Sequence, residues 1–388
     1  MKIAINSPPG CVPPYWDGAD AVIRHGFINL FHKYMDNEIV WCYAHENINW
    51  KENVQKEHTC YITDIRPFDQ QIEEVSQCDV YIKAGTPAWY NPSDQYLYQL
   101  CMSNNIPMAL VGVGVGSKWR WDGWEGFKKN EDFLKQFLND GNLKLLIARD
   151  PNCFSLFSEY TTKNSHLMTC PGYFCNPNFR IRTEKKIIAL EILNIGCLDG
   201  HCQYSEEQVD RYYSENMILI EKLRNLGYEV KLFCARRQSE KIIEDNLHPQ
   251  VITSSQISDM DYLKFQYPIL WEKYFNVEES IFCSTHEAFC EFLDSVDVMI
   301  AARVHCVIPA AGCGIPSYGI GIDLRQFTWD TIPLIDKQDI RTNSLDGGKI
   351  VNWIENLDSE DISKIYLNHR ERTEIVYEKY IDEFTEIL

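Results

Sequence analysis

The chain has no long apolar run. None of its apolar stretches approaches the roughly 18 residues that a membrane-spanning helix requires, so no part of it is expected to cross a bilayer. It also lacks a basic excess. Lys and Arg number 37 against 56 Asp and Glu, a formal charge of −19. That balance excludes nucleic acid as a general partner, because a phosphate backbone needs a basic face. It leaves room for a small anion in a local basic pocket. No leader pattern opens the chain, since Met1-Lys2-Ile3-Ala4-Ile5-Asn6 runs straight into a prolyl loop. The fifteen cysteines are scattered and read as free thiols of a reducing, cytoplasmic compartment. The dinucleotide fingerprint is missing too. Gly112-Val113-Gly114-Val115-Gly116 lacks the G-x-G-x-x-G spacing, and residues 117–121 do not open a helix, so no nicotinamide or flavin cofactor is expected. These glycines read instead as a loop passing close to a ligand or a strand.

What is present is a regular alternation of strands and helices. Residues 2–6 read as a strand, 7–15 with four prolines as a loop, and 18–34 as a helix. Strands at 39–42, 60–62, 79–83, 107–111 and 143–148 alternate with helices at 93–102 and 130–138. A second series begins near Lys186, with strands at 187–192, 229–234, 282–283, 296–301 and 317–320. Ser205-Glu206-Glu207-Gln208 fits a capping box for a helix that stops at Gly227, and 288–293 reads as a further helix. The pattern predicts an α/β fold of doubly wound parallel sheets. The expected domains are residues 1–180 and 181–357, with the break in the polar stretch 176–186. Ile362, Ile365, Tyr366, His369, Val376, Tyr380 and Phe384 recur at helical spacing, which predicts one long amphipathic helix over 358–388 packing on both domains.

Residues 296–316 carry the strongest chemical signal. A buried strand runs into Ala301-Ala302-Arg303-Val304-His305, then into a helix closed by Gly312 and Gly314. An arginine and a histidine at the carboxyl end of a parallel strand lie where open α/β sheets bind ligands, at a helix amino terminus that favours anions. Arg149-Asp150, before Pro151, repeats the logic, with a planar fork suited to phosphate or carboxylate. A structural pairing of Arg149 with Asp150 is the competing reading. Cys170 and Cys175, then Cys197 and Cys202, are spaced loosely enough that zinc is conceivable, but free thiols are the better reading and no metal is expected. Trp119, Trp121 and Trp124 could stack on a sugar ring or plug a small core.

The Ala-Ala-Arg303-Val-His305 segment, followed by Ala311-Gly312-Cys313-Gly314-Ile315-Pro316, resembles the most characteristic motif of the polysaccharide pyruvyl transferases. Arg149-Asp150 is similar to that family's R-D-x-x-S segment, with Phe154 or Cys153 in the serine place and Ser155 just beyond. Gly18-Ala19-Asp20-Ala21-Val22-Ile23 is similar to its amino-terminal G-D-x-A-I, with one residue inserted. Lys83-Ala84-Gly85-Thr86 stands where three glycines are usual, and residues 111–116 where G-x-G-x-G-P is usual.

The resemblance implies two Rossmann-like domains with a cleft between them, a GT-B-like arrangement. It implies phosphoenolpyruvate as donor, a saccharide as acceptor and a pyruvate ketal as product. His305 would be the general acid/base, and Arg303, Arg149 and Arg325 would hold phosphoenolpyruvate. Gly18, Asp20, Gly85, Thr86, Gly114, Gly116 and Trp119 would line the acceptor side. Two other readings stay open. One is a glycosyltransferase of the same architecture using a nucleotide sugar. The other is a non-catalytic sugar- or anion-binding module, which would have little use for a titratable His305.

Overall fold

The computed structural model describes residues 1–7, 11–12, 15–32, 37–42, 68–85, 89–90, 92–115, 130–191, 204–234, 236–238, 280–282 and 286–386. In the amino-terminal half these form β1 (Lys2–Asn6), β2 (Cys11–Val12), β3 (Tyr15–Asp17), α1 (Gly18–Leu30), β4 (Glu38–Cys42) and α2 (Phe68–Val75). Next come β5 (Val80–Ala84), α3 (Pro92–Ser103), β6 (Met108–Val113), α4 (Glu131–Asn139), β7 (Leu143–Ala148), α5 (Pro151–Tyr160) and β8 (His166–Leu167). Six strands make one parallel sheet in the order β4-β1-β5-β6-β7-β8. Its central strands β5 and β6 are buried along their whole length, as strands covered by helices on both faces must be.

The second half begins with β9 (Ile187–Glu191), α6 (Glu206–Asn225), β10 (Glu229–Cys234), β11 (Arg236–Gln238) and β12 (Ser280–Phe282). It continues through α7 (His286–Asp294), β13 (Val298–Ala301), α8 (Val304–Gly312), β14 (Ser317–Gly321) and β15 (Asp336–Asp339) to α9 (Gly347–Glu355) and α10 (Ser359–Glu386). A second six-stranded parallel sheet has the order β12-β10-β9-β13-β14-β15. Counted within that sheet the order is 3-2-1-4-5-6, that of a dinucleotide-binding fold, and it reverses between β9 and β13. The predicted capping box is formed: Gln208 N donates to Ser205 Oγ at 3.2 Å, and Ser205 N donates to Gln208 Oε1 at 2.9 Å.

Two expectations need correction. Residues 7–15 are not loop throughout, because β2 and β3 pair there antiparallel, and β3 pairs with β11 so that Asp17 faces Arg236. The partner strand is more than two hundred positions away, so local turn signals hide it. The carboxyl-terminal helix is present, but its buried face is Ser359, Ser363, Tyr366, Arg370, Thr373, Tyr377, Ile381 and Phe384. This stripe is turned from the predicted one because Ser363, Arg370 and Tyr377 serve backbone carbonyls. The strand expected at 60–62 lies outside the described residues.

The two sheets are joined through a 3-10 turn (Pro171–Phe174) clamped between α1 and α8. Two glycines permit the clamp. A Cβ on Gly26 would stand 1.9 Å from Pro171 O, and one on Gly312 would stand 1.9 Å from Tyr173 O. Helix α10 crosses this joint. Arg370 donates from Nη1 to Gly312 O at 2.5 Å and from Nη2 to Asn176 O at 2.9 Å, while Tyr377 Oη donates to Thr169 O at 2.7 Å. One apolar core runs through both halves, from Ile5, Val22 and Val111 to Ala301, Val307, Tyr366 and Phe384. Among the described residues no helix is long and apolar enough to cross a membrane.

Candidate active site

Strand β13 is buried throughout, and the chain leaves its end as Ala302-Arg303 before turning into α8. Beside it, β9 ends in Glu191, which is fully buried. A buried carboxylate must be satisfied, and this one is. Oε2 accepts from Ala302 N at 3.0 Å and Arg303 N at 2.8 Å, Oε1 lies 3.1 Å from Arg303 Nε, and Cys306 Sγ donates to Oε1 at 3.5 Å. Glu191 therefore fixes both the backbone turn and the guanidinium of Arg303, at the point where the strand order reverses. Sequence reading placed this residue in a strand and gave it no role. A lone acidic residue closing an apolar strand was the available signal.

In the other sheet, β7 ends at Ala148 and Arg149 follows. Arg149 is 1 % exposed. Asp150 does not pair with it by hydrogen bond. Its Oδ1 accepts from Cys153 N at 2.8 Å, capping α5, and its Oδ2 accepts from Val115 N at 2.9 Å. Burial pushes the Asp150 carboxyl up from its ordinary value, against the pull of these bonds. Gly114 lets the pair sit there. A Cβ on it would come within 2.4 Å of Asp150 Oδ2 and 2.8 Å of Arg149 Nε.

The two strand ends meet. Arg149 Nη1 lies 3.2 Å from His305 Nε2. A guanidinium only donates, so Nε2 accepts, and in this arrangement the imidazole is neutral with its proton on Nδ1. Arg149 Nη1 also lies 3.7 Å from Cys170 Sγ. Burial pushes the Cys170 thiol up, but the Arg149 charge and a hydrogen bond with His305 outweigh it and bring it down to about 7. Arg149 Nε is buried with no partner among the described residues. The result is a half-buried His305 held against Arg149 of the other sheet, with Cys170 on the same guanidinium and Arg303 two positions earlier at the cap of the His305 helix.

The remaining expected residues are placed differently. Arg325, after β14, closes on its own turn: Nε donates to Asp323 at 3.0 and 2.8 Å, and Nη2 lies 2.6 Å from Oδ2. Gly18 and Asp20 open α1. Gly85 ends β5 against Ile23 of α1. Thr86, Gly116 and Trp119 lie outside the described residues, as do Cys197 and Cys202. Cys170 and Cys175 part company, since Cys170 faces Arg149 while Cys175 faces α7. A cavity of about 650 Å³, lined among others by Arg211, Tyr318 and Asp346, shares no residue with this cluster.

Two parallel sheets wound this way, with an arginine–histidine cluster where their carboxyl ends meet, define a GT-B-like α/β protein. Solved structures agree on the fold. The chain is similar to Anabaena HepE in complex with UDP and glucose, at TM-score 0.53 and 11% identity over 100% of both chains. It is similar to the UDP-GlcNAc 2-epimerase of Neisseria meningitidis bound to UDP-GlcNAc, at TM-score 0.53 and 8% identity over 99% of this chain and 100% of that one. S. aureus MnaA with UDP matches at TM-score 0.51 and 10% identity, over 94% and 91%. No curated protein matches the chain. The model of the polysaccharide pyruvyl transferase family matches residues 18–323, and the chain belongs to that family of transferases.

Proposed function

We propose that this protein transfers the enolpyruvyl group of phosphoenolpyruvate to two hydroxyls of a saccharide, giving a pyruvate ketal and phosphate. The observation that carries the reading is the contact of Arg149 with His305 across the two sheets. Phosphoenolpyruvate carries a carboxyl carbon and a phosphate oxygen on one carbon, C2. Converging guanidinium groups answer both charges, and each charge-assisted bond contributes about 1.5–3 kcal/mol. Two or three such bonds, with the amino terminus of α8, suffice for micromolar binding once association costs are subtracted.

The chemistry needs one group to move protons. The first hydroxyl adds to C2 and loses its proton, while a proton is delivered to the methylene C3, which becomes the methyl group. The C2–O bond to phosphate then breaks with its electron pair. The second hydroxyl closes the ketal, and its proton leaves with phosphate or solvent. His305 is the group to cycle these protons. Its Nε2 lone pair serves as the base once Arg149 turns from it to the donor anion, and a neighbouring guanidinium disfavours a positive charge on the ring. General acid/base work of this kind contributes roughly 10²–10⁴ in rate. The residues proposed to hold the donor are Arg149 and Arg303, the latter with its Nε against Glu191. Arg325 would have to leave Asp323, which engages both its Nε and its Nη2.

The fold favours one competing reading, since HepE, the Neisseria meningitidis UDP-GlcNAc 2-epimerase and MnaA hold UDP or a UDP-sugar on it. The test is incubation with phosphoenolpyruvate or a UDP-sugar and a panel of saccharides, with products read by mass spectrometry. The proposal expects a ketal and equimolar phosphate, lost by roughly 10²–10⁴ in His305→Ala. Hexose transfer from the nucleotide sugar, with phosphoenolpyruvate inert, contradicts it.

A further inference from the structure

Away from this cluster, three thiophilic donors from two distant segments meet beside the joint of the two halves. Cys175 follows the clamped 3-10 turn. His286 and Cys290 stand four apart on α7 and so share one face of that helix. Their donor atoms lie within 4.8 Å of one another. His286 Nε2 lies 3.4 Å from Cys290 Sγ and 3.0 Å from Cys175 O. Cys175 is buried, and the other two are half-buried.

We propose that Cys175, His286 and Cys290 form a zinc site that ties α7 to the segment joining the two sheets. Zinc–sulfur bonds of ~2.3 Å and zinc–nitrogen bonds of ~2.0–2.1 Å in a tetrahedron place the donors about 3.5–3.8 Å apart. The donors already stand close to that spacing, so binding needs only small side-chain movements, with His286 Nε2 exchanging its contact with Cys175 O for the metal. Two thiolates and an imidazole select zinc over the hard cations that prefer oxygen. The surroundings suit the ion. Glu287 Oε1 lies 3.9 Å from His286 Nδ1, placed to accept from the nitrogen that would face away from the metal, as outer-shell carboxylates do. His25 of α1 stacks on His286 with ring centroids 3.5 Å apart. The fourth position falls to water.

Linear spacing hides this set, because His286 lies 111 positions from Cys175. The site is separate from the proposed transfer chemistry, and its test does not depend on activity. The full chain, purified under reducing conditions and stripped with a chelator, is titrated with zinc, and with cobalt as a spectroscopic stand-in. One equivalent of zinc, a thiolate-to-cobalt charge-transfer band and the visible bands of tetrahedral cobalt are expected. Cys290→Ser and His286→Gln should weaken zinc by more than the roughly 10–100-fold that an outer-shell partner supplies. The cobalt spectrum of the unaltered protein keeps the test valid if a variant fails to fold. Absence of stoichiometric binding, a cobalt spectrum without thiolate bands, or affinity unchanged in both variants overturns the site. So does a Cys175–Cys290 disulfide in protein that takes up no metal after reduction.

Discussion

Arg149 Nη1 lies 3.2 Å from His305 Nε2, although 156 positions separate them. Arg149 directly follows a parallel strand of one sheet, His305 lies in the first turn of the helix that follows a parallel strand of the other, and only the meeting of those sheets brings them together. The contact sets a guanidinium against an imidazole, and it fixes which ring nitrogen carries a lone pair.

Arg149→Lys tests the geometry of that contact. A lysine keeps the charge but loses the fork. The KM for phosphoenolpyruvate should rise roughly 10–150-fold, the equivalent of about 1.5–3 kcal/mol, with the unfolding temperature little changed. Steady-state kinetics against donor concentration provides the reading. An unchanged KM would remove Arg149 from the donor site.

Glu191 serves two backbone N–H groups and Arg303 at once. Glu191→Ala strands a half-buried guanidinium and two backbone N–H groups, a loss of about 3–5 kcal/mol, which predicts a fall in Tm of roughly 4–6 °C. Glu191→Gln keeps acceptor oxygen for the turn and should lose less stability. Thermal denaturation of both variants decides it, and an alanine variant as stable as the parent would show the turn to be held by other means.

His25 gives a pH dependence of stability. Burial first, then the adjacent His286, hold its pKa down to about 4 from 6.5, against a smaller upward pull from Glu287 and with a further downward push from Arg24. The unfolded chain thus binds this proton before the folded one does. Its contribution to stability is therefore intact above about pH 6.5 and declines as pH falls toward 4. Chelator-treated protein melted at intervals across that window should show the decline, and His25→Gln should flatten it. An identical slope in the variant would assign the acid sensitivity elsewhere.

Much of the fold was legible because its signals are local. The strand at 2–6, the capping box at Ser205 and the strand at 229–234 follow from periodicity and cap chemistry within a few residues. Arg303 and His305 were legible as a motif at a strand end. What escaped was long-range. Glu191 matters through a turn 111 positions away, and β3 pairs with β11. The face of α10 was misjudged because its polar residues are buried against carbonyls that only the tertiary fold supplies. Gly114, read as lining the acceptor side, is required first for Arg149 and Asp150 to fit against it.

The central claim is that the arginine–histidine cluster takes phosphoenolpyruvate. Calorimetric titration of the full chain with phosphoenolpyruvate and, separately, with UDP-glucose measures this most directly. The account predicts micromolar binding of phosphoenolpyruvate that Arg149→Met abolishes. Binding of UDP-glucose with no heat from phosphoenolpyruvate would contradict it.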